Sequence, residues 1–130
     1  MSLLKKLFFL SPSPEACFQL AFEAETKNSN YGKAAKLYEK AAKKGLAKAQ
    51  FYCGYMYIKG RGVKRDYEKA FSLVREAALQ NHPQAQYLLA QMYYSGEGIE
   101  KNTALGDEWI AKYKEHNLPE GRLILSFHNF

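Results

Sequence analysis

The chain is poor in the residues that most chemistry needs. Of its 130 residues only two are cysteine, Cys17 and Cys53. A disulfide framework requires more cysteines at regular spacing, so the expectation is two buried free thiols in a reducing cytoplasm. Both sit among alanines in helical sequence, a poor setting for an activated thiolate. The three histidines, His82, His116 and His128, are scattered, and none has a second ligand at i+3 or i+4. Cys-x-x-Cys, His-Glu-x-x-His and Gly-x-Ser-x-Gly do not occur. No catalytic residue, metal site or cofactor is therefore expected, and the chain does not read as an enzyme. Long hydrophobic runs are missing too. The uninterrupted apolar stretch Leu7 to Leu10 is too short for a signal peptide, a Ser-Pro-Ser-Pro segment follows at once, and Ala16-Cys17 lacks the upstream apolar residue of a lipoprotein cleavage site. Neither a leader nor a membrane span is expected, and the localisation read from the sequence is cytoplasmic.

What the chain does have is a repeat. Residues 31–66 align without a gap on residues 67–102, an offset of 36 residues with about a third of positions identical. Each copy reads as two helices. Ala34, Leu37, Tyr38, Ala41 and Ala42 follow the i, i+3, i+4, i+7, i+8 spacing of an amphipathic helix over 31–44, with Asn30 as N-cap and Gly45 just past its end. A second helix is expected over 47–58, broken at Gly60-Arg61-Gly62, and Asp66 caps the next. The second copy places helices over 67–80 and 83–95, the first carrying Ala70, Phe71, Val74, Ala77 and Ala78 inward, with Asn81 in the place of Gly45. Gly96-Glu97-Gly98 breaks the later helix, and Asn102 caps one over 103–116, where Trp109 stands in the position of Leu37 and Leu73. The two Gly-x-Gly tripeptides lack the full glycine spacing of a phosphate loop and recur as punctuation, so turn geometry accounts for them.

Partial copies extend both ends, at 14–27 and at 119–128. Pro14, Pro83 and Pro119 all lie two residues before the matching small residue, where a proline in the first helical turn costs nothing. The expected fold class is all-α, a solenoid of about seven helices in antiparallel pairs over residues 14–130, preceded by residues 1–13. That preceding segment is amphipathic, with Leu3, Leu4, Leu7 and Phe8 on one side and Lys5 and Lys6 on the other. It reads as a cap over the end of the solenoid, or as a surface for a membrane or a partner.

The pattern Ala49-Gln50-Phe51, Gly54, Tyr57, Gly60-Arg61-Gly62-Val63, Tyr67, Ala70, Ala77-Ala78, recurring as Ala85-Gln86-Tyr87, Ala90, Tyr93, Gly96-Glu97-Gly98-Ile99, Ala104, resembles the Sel-one-like repeat, a relative of the tetratricopeptide repeat. The resemblance spans about residues 14–126, some three and a half units. The first unit has a shorter loop, and the third carries Tyr113-Lys114 instead of the alanine pair. It implies a right-handed superhelix of helix pairs and a role in protein–protein interaction, as adaptor, scaffold or regulator. Some secreted members carry one disulfide in every repeat, and the two cysteines here do not fit that pattern.

In such an architecture the first helix of each pair lines the concave side. Residues on the face opposite the core are then candidates for partner binding: Gln19 and Phe22, joined by Glu15 and Glu25, on the first helix; Lys48, Tyr52, Tyr55 and Lys59 at i, i+4, i+7, i+11 on the second; Gln84, Leu88, Gln91 and Tyr94 on the third. Rigid rings bury much area at small entropic cost and suit a peptide anchor, although Tyr52, Tyr55 and Tyr94 would equally serve to pack one repeat on the next.

Charge is unevenly distributed over the net +6. Residues 31–66 hold ten Lys/Arg against Glu39 and Asp66. Lys33, Lys36, Lys40 and Lys43 share one stripe of the 31–44 helix, and Arg61, Lys64 and Arg65 lie in the following loop. This is either a solvated outer face or a surface for an acidic partner. Few aromatics interleave with these lysines, which disfavours nucleic acid. The expected function is a non-catalytic adaptor holding a partner polypeptide in the concave groove. The alternative is an immunity or inhibitor protein that neutralises an acidic enzyme or toxin through the basic repeat. The apolar stretch Leu123 to Phe127 would also let two chains pair through their terminal helices.

Overall fold

The computed structural model describes residues 12–117. Among them there are six α-helices and no strand: α1 (Pro14–Thr26), α2 (Tyr31–Lys43), α3 (Ala47–Lys59), α4 (Tyr67–Leu79), α5 (Pro83–Ser95) and α6 (Thr103–Asn117). The expected helices over 14–116 are all present, with ends within about a residue of those read from the sequence, apart from ordinary fraying of the boundary. The expected seventh helix, the terminal pairing surface and the Leu3–Leu10 segment lie outside the described residues.

Packing is most extensive within the pairs α1–α2, α3–α4 and α5–α6, and α2–α3 and α4–α5 join one pair to the next. The result is an α/α solenoid of three hairpins. Its joints are written in the capping residues. Ser13, Asn30, Asp66 and Asn102 each accept a backbone N–H three residues on, at 3.0–3.2 Å, so they close the open N-termini of α1, α2, α4 and α6. At the far ends of α2 and α4, Gly45 (φ +92) and Asn81 (φ +66) turn left-handed. There Leu46 N–H reaches Ala41 O and His82 N–H reaches Ala77 O, the 6→1 bond of a Schellman stop.

The signature glutamines explain themselves in this setting. Gln50 and Gln86 are buried where one hairpin meets the next. Each donates from Nε2 to the carbonyl of the second alanine of the preceding pair, Ala42 at 3.3 Å and Ala78 at 3.5 Å. That carbonyl belongs to a helix end and would otherwise lack part of its hydrogen bonding. Gln80 Nε2 also donates to Gln50 Oε1 at 2.8 Å, whereas Gln86 Oε1 has no partner among the described residues.

Small residues set the helix spacing. Ala34, Ala41, Ala49, Ala70, Ala77, Ala85 and Ala90 are wholly enclosed, and a Cβ on Gly54 would come within 2.8 Å of Val74 Cγ2. Tyr38, Met56, Val74 and Leu89 fill the layers between. Phe71, expected inward, is half-buried and meets Tyr93 edge-on at 5.6 Å, because it sits at the margin of the α4–α5 joint. Cys17 and Cys53 are free and buried. Burial, and then the Glu39 carboxylate, push the Cys53 thiol up to about 12, so at neutral pH it stays protonated.

Candidate functional site

Because the hairpins stack in parallel register, α1, α3 and α5 follow one another along one face: Phe18 of α1 meets Tyr52 of α3, and a groove of about 380 Å³ runs between α3 and α5. Tyr52, Tyr55 and Lys59 come to this groove from α3, and Gln84, Leu88 and Gln91 from α5. The structure therefore brings together six of the twelve residues expected to face a partner, from two helices 36 residues apart in sequence. Phe51 and Ile58 join them as an apolar floor. Neither was expected there, yet the spacing held the signal: 51, 55 and 58 form their own i, i+4, i+7 stripe. It is rotated towards α5, so a groove flanked on that side must use it.

The other six expected residues lie elsewhere: Glu15 is exposed on α1, and Glu25 is engaged by Tyr38 and Arg61. Gln19 is exposed on α1. Phe22 is 37% exposed and extends the aromatic surface, 6.2 Å from Phe18 and 6.4 Å from Tyr52. The Lys48 ammonium stands 4.5 Å above the Phe18 ring. Tyr94 faces α6: its hydroxyl donates to Asp107 Oδ1 at 2.6 Å, and a Cβ on Gly106 would fall 2.5 Å from its ring. Burial and the Asp107 carboxylate push that phenol up to about 12.

Tyr52 and Tyr55 differ in how firmly the fold holds them. Tyr52 stacks on buried Tyr38 (5.3 Å, 16°) and meets Phe18 and Phe51 edge-on. Tyr38 in turn donates to Glu25 Oε1 at 2.7 Å, and burial together with that carboxylate raises its phenol far above the usual range. Tyr52 thus closes the α1–α2–α3 core while turning one edge to the groove. Tyr55 has lighter ties, to Phe51 at 6.3 Å and to the Lys59 ammonium at 5.5 Å.

The basic residues are spread over a second surface. Lys33, Lys36, Lys40 and Lys43 are exposed on α2, and Lys33 and Lys36 border a depression with Gly62 of the α3–α4 loop. Arg61 is held by Glu25 (3.6 Å) and the Tyr31 ring (5.1 Å), and Arg65 lies over Tyr67 (5.7 Å). Lys64 borders the depression between α3 and α4. Among the described residues no group of three or more His, Cys, Asp or Glu is arranged to hold a metal ion, and no helix is long and apolar enough to cross a membrane.

His82 lies under the floor of the groove, 5.2 Å from Phe51, and its Nδ1 accepts the Ala85 N–H at 3.3 Å to cap α5. Burial lowers its pKa below the ordinary 6.5. The folded state favours the neutral ring, so the unfolded chain takes up this proton first. The stability that neutral His82 contributes is whole above about 6.5, declines as pH falls below it, and levels off beneath the depressed folded value. The urea midpoint should therefore drop as the pH is lowered through that window. In His82→Asn, which caps without titrating, this part of the slope should vanish.

Three pairs of helices with Ala-Gln joints and Gly-x-Gly stops define a helical-hairpin repeat protein. The Sel1 repeat matches residues 14–46, 47–82 and 83–112, and the chain belongs to the Sel1 repeat family, whose repeats are in general protein–protein interaction scaffolds. Among solved structures it is similar to a Sel1 repeat protein from Oxalobacter formigenes, with 32% identity over 88% of this chain and 87% of that one, at a TM-score of 0.78. It is also similar to c5321, described as a protective antigen present in uropathogenic Escherichia coli strains displaying an SLR fold (28% identity, TM-score 0.83). The match covers 88% of this chain but 25% of that protein. Helicobacter pylori cysteine rich protein B shares the fold at 22% identity and a TM-score of 0.70, over 88% of both chains. No curated protein matches the sequence.

Proposed function

We propose that the chain is a non-catalytic interaction module that holds a partner polypeptide in the α3–α5 groove. The observation that carries this reading is the meeting of Tyr52, Tyr55, Leu88, Gln84 and Gln91 around one concavity with a Phe51–Ile58 floor. Half-buried rings over an apolar floor, with amides at the rim, combine area for affinity with polar groups for orientation. The free, buried thiols suit a cytoplasmic setting.

Tyr52 is a poor probe because its loss would loosen the core. The better variant is Tyr55→Ala/Gln91→Ala, which strips the groove and leaves the Tyr38–Tyr52 stack in place. Affinity capture with the native chain and with this variant, matched for folding by circular dichroism, is expected to show a partner protein whose recovery falls at least about tenfold, the loss typical of an anchor ring. Equal recovery would move the contact off the groove, for instance to the lysine stripe of α2, where binding would be salt-sensitive.

A further inference from the structure

The groove is graded in chemistry from end to end, and the grading restricts what it can hold. By the 36-residue register Tyr52 matches Leu88 and Tyr55 matches Gln91 across it, with Gln84 and Lys59 also in its lining. Its middle is therefore apolar, and its α3 C-terminal end carries the Lys59 ammonium, with no carboxylate among the residues that line it.

The glutamines add a second restriction. Gln50 and Gln86 are buried and bonded to helix-end carbonyls, whereas the side-chain amides of Gln84 and Gln91 make no hydrogen bond among the described residues. They are seven residues apart on α5, a rise of about 10 Å at 1.5 Å per residue. One three-residue turn of a polyproline II chain covers about 9 Å at 3.1 Å each. A primary amide offers both a donor and an acceptor, matching one peptide unit. A helical ligand has its backbone already bonded internally and would leave both glutamines idle, whereas an extended one in the polyproline II form presents free peptide groups on one side at every third residue, about 9 Å apart.

Resting on the groove reading above, we propose that the α3–α5 groove selects an extended acidic peptide segment of a partner protein. Gln84 and Gln91 clamp its backbone. One large apolar side chain enters between Tyr55 and Leu88 over Phe51. An Asp or Glu two to three residues away meets Lys59, since the turn separating Tyr55 from Lys59 plus the reach of the lysine spans roughly 6–10 Å. Charge complementarity favours such a partner over this chain's own residues 1–11, which carry Lys5, Lys6 and no acidic group.

The test uses the full chain and a positional-scanning library of N-acetylated, C-amidated octapeptides. Retention is expected to favour one aromatic or large aliphatic position and, two or three residues from it, Asp or Glu over Lys by about tenfold at low salt. In Lys59→Glu that second preference should invert to Lys or Arg while the apolar one stays. In Gln84→Ala/Gln91→Ala retention should weaken by a similar factor for all sequences. Apolar selection without acidic selection, or an acidic preference that survives Lys59→Glu, overturns the acidic assignment and leaves the groove reading standing. A helix-stapled peptide that outcompetes the extended one overturns the backbone clamp. No peptide retention sensitive to Tyr55→Ala overturns the groove reading itself, and this inference with it.

Discussion

Gly62→Ala is expected to destabilise the fold by about 3 kcal/mol or more, part of it the roughly 1–2 kcal/mol of placing a side chain at left-handed φ. Gly62 sits at φ +75, and a Cβ there would fall 2.1 Å from the carbonyl oxygen of Tyr31 and 2.4 Å from its carbon. Both atoms are backbone at the first residue of α2, so no rotamer change relieves the overlap. The α3–α4 loop would have to lift off the start of α2 and take the Arg61–Glu25 contact with it. Gly98 repeats the arrangement against Tyr67, with a Cβ 2.6 Å from the Tyr67 oxygen. Gly32, the second residue of α2 with nothing within 4 Å of an added Cβ, is the control: alanine there should be neutral or stabilise by up to about 0.5–1 kcal/mol. Urea unfolding followed by circular dichroism would separate the two. A Gly62→Ala midpoint equal to the native one would mean that the loop does not rest on α2.

Leu89→Ala should cost about 2–5 kcal/mol, the range for emptying a fully enclosed leucine site. Leu89 has no exposed surface and lies in the layer between α5 and its neighbours. The same repeat position in the preceding unit is Cys53, equally enclosed, and Cys53→Ala removes one sulfur atom, so it should cost clearly less. Because each hairpin contacts only its neighbours, the Leu89→Ala effect should be concentrated in α5 and α6, visible as faster amide exchange there than in α1 and α2. Uniform acceleration along the whole chain would instead indicate a single cooperative core.

The helices were legible in the sequence for local reasons. Asn30, Asp66 and Asn102 cap because a short polar side chain before an apolar-periodic stretch has few better hydrogen-bond partners than the open N–H groups ahead of it. Asn81 takes left-handed φ as Gly45 does because both tolerate that region. The groove was half legible. Helical spacing separates Tyr52 and Tyr55 from the core stripe, but it cannot say what stands across from them. Phe51 escaped notice because it flanks the core stripe and its exposure depends on how far α5 stands off. Tyr94 shares the spacing of Leu88 and Gln91, yet Gly106 of α6 leaves room for its ring and Asp107 takes its hydroxyl, so it turns to its own hairpin.

By itself the sequence determined the period, the helices and their stops. These depend on interactions within a few residues or on a copy of the same pattern 36 residues away, and both are written in the chain's order. Only the tertiary structure decided which tyrosine closes the core and which faces the groove, which arginine is held by a carboxylate, and that Lys59 of α3 and Gln91 of α5 line one groove with an apolar floor. Those outcomes turn on the distance between helices. That distance is set jointly by glycine and alanine contacts such as Gly54 on Val74 and Gly106 on Tyr94, which no single stretch of sequence contains.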